Sequence, residues 1–383
     1  MNLNIPFTKE YLSGLEIDCI SQLLNTNPET NKVNWDQKCS NLLNKELETN
    51  NYFLTSSCTS SLEIAALLSK INHGDEFILP SYTFSSSANA FALRGGVPVF
   101  VDVREDTLNI DENKIESAIS KKTKAIIVVH YAGVTCEMEK ILSIANKYNL
   151  IVIEDAAQAL GSSYKNLIPG TMGDFGAISL HNTKNIQCGE GGIFVYKNHS
   201  HKIPAGNIIE KGTNRKEFVE GIVNKYEWQS LGSSYVLSDL QKAFLYGQLK
   251  NIKDISKRRR NICEKYDNGF FDLEIEGLIK RCKVPLECKS NGHIYFIILS
   301  KSLNRERIIQ ALRKIKISAT SHYEPLHLSP AGKKLGKISG SLNITNFISK
   351  KVLRLPVWPD LDDDQVNFII DSTIKIIKNK SIN

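Results

Sequence analysis

No run of apolar residues in this 383-residue sequence approaches the roughly 18 that a membrane-spanning helix needs. The first residues lack the basic region and apolar core of a signal peptide. The eight cysteines include no Cys-x-x-Cys pair and no Cys/His spacing typical of zinc, so neither a disulfide framework nor a metal site is predicted. We therefore expect a cytoplasmic protein with reduced thiols.

Charge of one sign is not concentrated either. The 48 Lys and Arg residues are scattered among 41 Asp and Glu residues, and the net charge is +7. The densest basic run, Lys257–Arg260, lies in a helical pattern and indicates a solvated helix face. No nucleic-acid-binding motif is present, and a modest positive charge suits an anionic small-molecule substrate.

The G-x-G-x-x-G pattern of dinucleotide-binding folds is also missing. Strand-like and helix-like stretches nevertheless alternate, which predicts an α/β fold with a parallel or mostly parallel sheet covered by helices on both faces. The stretches are Glu76–Pro80, Val97–Val103, Ala125–Val129 and Leu150–Ile153 as strands, with Ile110–Ile119 and Glu137–Tyr148 as helices. The length allows a large domain, residues 1–245, and a smaller α+β domain, residues 246–383.

Residues 176–196 contain two short strand patterns, separated by a polar turn with Lys184 and the glycine-rich cluster 189–192. Glycines at this density allow close approach of another backbone or of a ligand. Lys184 has two interpretations. It is either a solvated loop side chain or an amine that forms a Schiff base with a cofactor such as pyridoxal phosphate (PLP).

A second stretch is an apolar strand that runs into Glu154 and Asp155. The carboxyl end of such a strand is where open α/β sheets bind ligands. Asp155 either caps the following helix or keeps a pyridinium nitrogen protonated. Asp155 precedes Lys184 by 29 positions and each residue follows a strand, a combination that favours the cofactor interpretation.

These two stretches, Glu154–Gln158 and Ser179–Gly192, resemble the sugar aminotransferases of the DegT/DnrJ/EryC1/StrS family. The resemblance extends from Ile5 to Pro356. It is strongest to the transaminases that make dTDP-4-amino-4,6-dideoxygalactose, through Ser57–Glu63, Pro80–Phe84, Val129–Gly133, Glu210–Arg215 and Gly232–Tyr235. It implies a PLP enzyme of fold-type I, the aspartate aminotransferase fold.

The resemblance assigns a role to several residues around the cofactor. Lys184 would bind PLP covalently, Asp155 would contact the pyridine nitrogen and Gln158 would lie near the phenolic oxygen. Phe84 would stack on the ring, although an aromatic residue after a strand more often fills the core. His130, at another strand end, is equally well explained as a core histidine and is not assigned to the site.

The cofactor phosphate is assigned to Thr59 and Ser60, with Ser179 adding a hydroxyl. From the residues alone, the hydroxyl-rich stretch Tyr52–Ser61 before the helix Leu62–Leu68 fits either an anion site at a helix N-terminus or simple N-capping.

The irregular stretch Lys211–Asp239 is long for a loop in a compact domain. Family members often carry an Asn here that reaches the PLP phosphate of the neighbouring subunit, and Ser234 stands at that position. Lys211 and Arg215 would clamp a diphosphate, or they are simply solvated. The resemblance implies a homodimer with shared active sites.

Ile5–Phe7 and a helix near Leu12–Leu24 are expected to wrap the large domain or a partner subunit. A long helix, Ser238–Tyr266, is expected to lead into the small domain. There, Tyr323 and His327 are substrate-pocket candidates by resemblance.

The implied reaction moves the amino group of L-glutamate to C4 of dTDP-4-keto-6-deoxy-D-glucose, giving dTDP-4-amino-4,6-dideoxy-D-galactose for surface polysaccharide synthesis. Amination to the gluco epimer, amination at C3 and a UDP-linked substrate remain open alternatives. Lys184 argues against the related dehydratases, which carry histidine there. A non-catalytic scaffold would be expected to lose Lys184 or Asp155.

Overall fold

The computed structural model describes residues 4–26 and 33–379. Its strands are β1 (Tyr52–Thr55), β2 (Glu76–Pro80), β3 (Val97–Val101), β4 (Thr123–Val129), β5 (Ile151–Asp155), β6 (Ser163–Tyr164), β7 (Phe175–Ser179), β8 (Gly192–Tyr196), β9 (Ile279–Arg281), β10 (Cys288–Lys289), β11 (Tyr295–Leu299), β12 (Lys337–Ile338) and β13 (Val352–Leu355). Its α-helices are α1 (Leu15–Asn25), α2 (Trp35–Leu47), α3 (Cys58–Leu68), α4 (Ser86–Ala92), α5 (Met138–Tyr148), α6 (Lys202–Ile209), α7 (Arg215–Val219), α8 (Asp239–Lys250), α9 (Ile252–Gly269), α10 (Phe271–Ile275), α11 (Arg305–Lys314), α12 (Pro330–Leu335), α13 (Asn343–Lys351) and α14 (Asp363–Lys378).

The large sheet has eight strands in the order β1-β8-β7-β5-β4-β2-β3-β12. From β7 to β12 each neighbouring pair is parallel, whereas β8 is antiparallel to both β7 and β1. Parallel neighbours need crossover connections, which the intervening helices and loops provide. The predicted α/β class with a mostly parallel sheet is therefore confirmed.

Side chains of the large sheet alternate between two buried faces. Phe77 and Leu79 of β2 enter one core cluster, to which α3, α4 and α6 also contribute. Ile78, between them, enters a cluster with α5 on the opposite face. This period of two places apolar residues on both faces, which is why the strands have nearly continuous apolar sequences.

The C-terminal part has its own antiparallel sheet, in the order β13-β11-β9, and a core shared with α9, α11 and α14. Ile5 lies in this core rather than around the large sheet, and its N–H donates to Lys316 O at 2.9 Å. Conversely, β12 joins the large sheet beside β3. The predicted boundary at 245/246 falls within α8 and stays a prediction.

Two predicted helices differ from the structure. In Ile110–Ile119 only a single 3₁₀ turn forms, because Ile110 is paired in an extended bridge with Val103. The predicted helix Ser238–Tyr266 is divided into α8 and α9 at Asn251, whose side-chain amide donates to Gly247 O at 2.9 Å. Such a side chain competes for helical carbonyls. Throughout the described ranges, every helix is too short or too polar to cross a membrane.

Candidate active site

Asp155 is the last residue of β5, at the carboxyl end of the parallel strands. Its Oδ2 accepts a hydrogen bond from Ser87 Oγ at 2.6 Å, and its Oδ1 accepts one from the Ala157 N–H at 3.1 Å. Burial raises the pKa of this carboxyl, while these two hydrogen bonds and the charge of Lys184 oppose the rise. Such a carboxylate favours a cationic group beside it.

The preceding carboxylate has a different environment. Glu154 accepts three backbone N–H groups from residues 170–173 at 2.6–2.8 Å. It also bonds to His130 Nε2 at 2.8 Å, and His130 Nδ1 accepts the Cys136 N–H at 3.1 Å. Glu154 and His130 are fully buried and satisfied, so both belong to the core.

Lys184 lies in the connection between β7 and β8, which backbone hydrogen bonds hold in a defined conformation. Its N–H donates to His181 O at 2.9 Å, and the Cys188 N–H donates to Leu180 O at 2.9 Å. The side chain lines the same pocket as Asp155. Burial lowers the pKa of Lys184, and Cys58 and Asp155 oppose that fall. The amine is therefore not a solvated loop lysine.

The N-terminus of α3 reaches the same pocket. Ser57 caps the helix, and its Oγ accepts the Ser60 N–H at 3.0 Å. Gly192 allows β8 to pass directly beside this turn, because a Cβ at that position would lie 2.6 Å from Cys58 N. The glycine cluster thus allows the close backbone approach that the sequence predicted, and the helix N–H groups stay near the pocket.

The hydroxyls predicted for the phosphate are divided between two environments. Thr59 and Ser179 line the pocket, and Thr59 Oγ1 is 2.8 Å from Ser86 Oγ. Ser60 is not among the lining residues. Its hydroxyl bonds to Ser56 Oγ at 3.0 Å and also to the capping hydroxyl of Ser57.

Three predicted residues form one side of the pocket. Gln158 Nε2 donates to Tyr323 Oη at 2.9 Å, and Gln158 Oε1 accepts the Ala132 N–H at 2.6 Å. The ring of Phe84 is 6.3 Å from that of Tyr323, and 57% of Phe84 is exposed. An open aromatic face at the pocket wall is compatible with stacking on a flat ligand.

Lys211, Arg215 and Ser234 lie outside this pocket. The side chain of Arg215 is 55% exposed and pairs with Glu210 at 3.5 Å. Ser234 is exposed and forms an antiparallel bridge with Glu210. Within one chain the structure does not bring these residues to Lys184.

His327 also lies outside the pocket lining. Its ring bonds to Ser81 Oγ at 2.7 Å and to Asn346 Oδ1 at 3.1 Å, which fixes the turn after β2 against α13. The structure therefore separates His327 from Tyr323, its neighbour in the predicted substrate set.

Several charged or imidazole side chains line the pocket without having been singled out in the sequence. They are His181, Arg259, His293, His322 and Arg354. Burial lowers the pKa of both His293 and His322, which are therefore neutral at pH 7. His181 stands three positions before Lys184, within the stretch Ser179–Gly192 that carries the resemblance. The other four come from the C-terminal part, and only the fold brings them to Lys184.

The pocket has a volume of about 490 Å³ and its residues fit PLP. Along the parts of the chain that the structure describes, no hydrogen bond or ion pair holds the amine of Lys184, which is available for an aldehyde. Asp155 suits a pyridinium nitrogen, and the N-terminus of α3 with Thr59 and Ser179 suits a phosphate.

Known proteins resemble this chain over most of its length. The DegT/DnrJ/EryC1/StrS aminotransferase family matches residues 20–373. The chain is 30% identical over 380 residues to GDP-perosamine synthase of Escherichia coli O157:H7, covering 98% of this chain and 99% of that protein. It is 32% identical over 337 residues to UDP-4-amino-4-deoxy-L-arabinose–oxoglutarate aminotransferase of Shewanella sediminis, covering 85% and 86%.

The fold has a solved counterpart in a putative sugar aminotransferase of Streptococcus pneumoniae in its PLP form. The two superimpose with a TM-score of 0.89 at 24% identity, over 100% of both chains. The predicted fold-type I architecture and the predicted PLP dependence are confirmed. The chain belongs to the DegT/DnrJ/EryC1/StrS aminotransferase family and is a PLP-dependent nucleotide-sugar aminotransferase.

Proposed function

We propose that this enzyme transfers the amino group of L-glutamate to C4 of dTDP-4-keto-6-deoxy-D-glucose. The product would be dTDP-4-amino-4,6-dideoxy-D-galactose, made in the cytoplasm for a surface polysaccharide. The observation that carries the proposed chemistry is the unpartnered amine of Lys184 in the pocket that also contains the buried carboxylate of Asp155.

Lys184 has two tasks in this proposal. Bound PLP supplies the electron sink that stabilises negative charge on the reacting carbon. Lys184 Nζ first holds the cofactor and, once the donor amine has replaced it, removes the proton from the α-carbon of glutamate. In the second half-reaction it delivers a proton to C4 of the sugar. Burial, which lowers the pKa of Lys184, favours the neutral base that this role needs.

Asp155 holds a proton on the pyridine nitrogen. Ser87 and the Ala157 N–H fix its two oxygens, so that the carboxylate is already oriented before a ligand binds. Gln158 and Tyr323 would offer polar groups to the bound cofactor, and Phe84 would offer it an aromatic face.

The phosphate would be bound by the α3 N–H groups with Thr59 and Ser179. Ser60 would act through the hydroxyl network that includes Ser57, since its own side chain does not line the pocket.

The donor and the position of amination rest on a relative. The name of the Shewanella sediminis protein pairs a 4-amino-4-deoxy sugar with oxoglutarate, and oxoglutarate is what glutamate becomes when it gives up its amino group. This supports glutamate as donor and C4 as acceptor. The two relatives are named for GDP and UDP sugars, whereas dTDP rests on the resemblance of stretches such as Ser57–Glu63.

We also propose a homodimer in which residues 211–235 complete the partner's pocket. Three apolar side chains in this stretch are strongly exposed: Val219 at 69%, Ile222 at 69% and Trp228 at 76%. Burial of these exposed apolar side chains against a second subunit would stabilise the dimer. In the dimer, Lys211 and Arg215 would bind the diphosphate of the sugar nucleotide, and Ser234 would approach the cofactor phosphate.

The substrate assignment is tested by incubating enzyme, L-glutamate and dTDP-4-keto-6-deoxyglucose and determining the product by NMR. An axial amine at C4 is expected. An equatorial amine would indicate the gluco epimer, and an amine at C3, obtained with the 3-keto isomer, would indicate the C3 alternative. Turnover with a GDP- or UDP-linked keto sugar alone would contradict the dTDP assignment. The Lys184→Ala enzyme serves as the inactive control.

A further inference from the structure

Two histidine rings from the C-terminal part line the same pocket as Lys184. His293 lies just before β11, and His322 lies between α11 and α12. Within residues 4–26 and 33–379, no protein group forms a hydrogen bond with Nε2 of either ring. Neither Nε2 is among the fully buried nitrogens that lack a partner, so both atoms reach the open volume of the pocket. Each ring therefore presents one free nitrogen to a ligand.

The tautomer of His293 is fixed by Asn185, the residue after Lys184. The amide nitrogen of Asn185 donates to Asn291 O at 3.0 Å, so its amide oxygen faces His293 Nδ1, at 2.9 Å. The proton of this second hydrogen bond must be on Nδ1. Burial lowers the pKa of His293, and the charge of Lys184 adds to the fall, so the ring is neutral and has no second proton. Nε2 of His293 is therefore a hydrogen-bond acceptor.

His322 has the opposite tautomer, fixed by Tyr131. Tyr131 Oη lies 2.6 Å from His322 Nδ1, and burial raises the pKa of this phenol, so the hydroxyl keeps its proton. Donation of that proton to Nδ1 satisfies both groups. Burial lowers the pKa of His322, and the charges of Arg354 and Lys184 add to the fall, so this ring is neutral as well. Its own proton is therefore on Nε2, which is a hydrogen-bond donor.

The pocket thus offers one neutral acceptor and one neutral donor, both within electrostatic range of Lys184. A ligand that satisfies both must carry a donor group close to an acceptor. Glutamate does not, once its amine is attached to the cofactor, because its two carboxylates only accept hydrogen bonds. A 4-keto sugar does, because its C4 oxygen accepts a hydrogen bond and the hydroxyl on the neighbouring C3 donates one.

We propose that His322 donates a hydrogen bond to the C4 keto oxygen of the sugar and that His293 accepts one from the C3 hydroxyl. This inference rests on the proposed function and extends it to the sugar subsite. The first hydrogen bond withdraws electron density from C4 and so promotes attack by the transferred amino group. The second orients the sugar, and it disfavours keto sugars without a C3 hydroxyl, because the acceptor would then stay unpaired.

The central test crosses one enzyme variant with one substrate analogue. The variant is His293→Phe, which removes the acceptor, and the analogue is the 3-deoxy form of dTDP-4-keto-6-deoxyglucose. The reaction of the aminated cofactor form with each sugar is followed by the cofactor's absorbance in single turnovers. Wild-type enzyme should react with the analogue on the order of tenfold more slowly, because one hydrogen bond is lost and its acceptor is left unpaired. The rates of His293→Phe with the two sugars should differ by less than about twofold.

His322→Phe should behave differently. Its reaction with the keto sugar should slow on the order of 100-fold at saturating sugar, because the donor to the C4 oxygen is lost. The preference for the sugar with a C3 hydroxyl should persist. In both variants the half-reaction with L-glutamate should change by less than about threefold. His199→Phe, a change at an exposed histidine outside the pocket, should leave every rate unchanged.

NMR of protein with isotope-labelled histidine tests the two tautomers without any reaction. Long-range proton–nitrogen spectra should place the proton of His293 on Nδ1 and that of His322 on Nε2. Asn185→Leu should convert His293 to a mixture of tautomers and weaken the discrimination against the 3-deoxy sugar. Tyr131→Phe should have the corresponding effect on His322. PLP content and thermal unfolding of each variant are measured alongside.

The proposal is overturned if the proton of His293 is found on Nε2, or if His293→Phe discriminates between the two sugars as well as the wild type does. A loss of equal size in the glutamate half-reaction would contradict it too, because both rings would then act on the donor. Failure of the proposed function gives a different result, in which the wild-type enzyme does not turn over dTDP-4-keto-6-deoxyglucose. The tautomers measured by NMR do not depend on that outcome.

Discussion

The surroundings of Lys184 and the segment 211–235 differ in how many of their contacts come from the same chain. The residues around Lys184 stand on neighbouring strands β5 and β7, and Asp155 has hydrogen bonds to both of its oxygens. The segment 211–235 exposes apolar side chains such as Trp228 and places Arg215 beside Glu210 on the surface. A single chain thus brings the predicted catalytic residues together, whereas this segment exposes apolar side chains that the proposed dimer would cover.

The largest effect is expected at Lys184. Lys184→Ala should reduce turnover to background, because no other lysine among the described residues lines the pocket to hold PLP and move the proton. Borohydride treatment followed by peptide mass spectrometry should locate PLP on Lys184 in the wild type and nowhere in the variant. A reducible link with unchanged turnover in Lys184→Ala would contradict the assignment.

The next effect concerns Asp155. Asp155→Asn should keep part of its PLP but lower kcat on the order of 1000-fold, because an unprotonated pyridine nitrogen is a poor electron sink. Ser87→Ala is the matched control. It removes one hydrogen bond to Asp155 and should cost about tenfold, as loss of a bond to a charged group does. Near-normal rates in Asp155→Asn would reassign the residue to helix capping.

Arg215 tests whether the surface segment completes a partner's pocket. Arg215→Ala should lower kcat/KM on the order of 100-fold, because a charge-assisted contact to the diphosphate is lost. Mixing inactive Lys184→Ala and Arg215→Ala subunits under exchange should restore roughly one quarter of wild-type activity, since half of the dimers would have one intact site. Demonstrated exchange without recovery would place Arg215 in its own subunit's site or in none.

The smallest effect is expected from the apolar part of the segment. Trp228→Ser should raise the dimer dissociation constant by about tenfold or more, as removal of a buried interface tryptophan does, while the thermal stability of the subunit changes little. Analytical ultracentrifugation measures the dissociation constant, and calorimetry measures the thermal stability. If the wild-type protein were monomeric at micromolar concentration, the proposed dimer with a shared active site would be wrong.

The sequence predicted the residues whose signal is local. Asp155 ends one buried strand and Lys184 follows another, and parallel strands bring their carboxyl ends to one edge of the sheet. Thr59 and Ser60 are adjacent in sequence, but at the start of α3 only Thr59 lines the pocket while Ser60 bonds within the capping turn. No local sequence pattern distinguishes these two residues.

Other residues depended on long-range contacts that no local pattern reveals. Arg354 and His293 reach the pocket only because the C-terminal sheet packs against the end of the large one. The predicted helix Ile110–Ile119 failed for a related reason, since its first residue is committed to a bridge with Val103. Tertiary pairing there overrides the helical propensity of the segment.

Two short β pairings connect the two parts of the chain, and they limit when the pocket and the large sheet can form during synthesis. Ile5 pairs with Ile317, and the residues that follow it, Phe7 and Thr8, line the pocket. These residues can therefore take their places only after residue 317 has been made. The large sheet likewise gains its edge strand β12 only after residue 338 has been added. Although domains usually fold as their chain emerges, here the pocket closes only after residues 317 and 354 have been made.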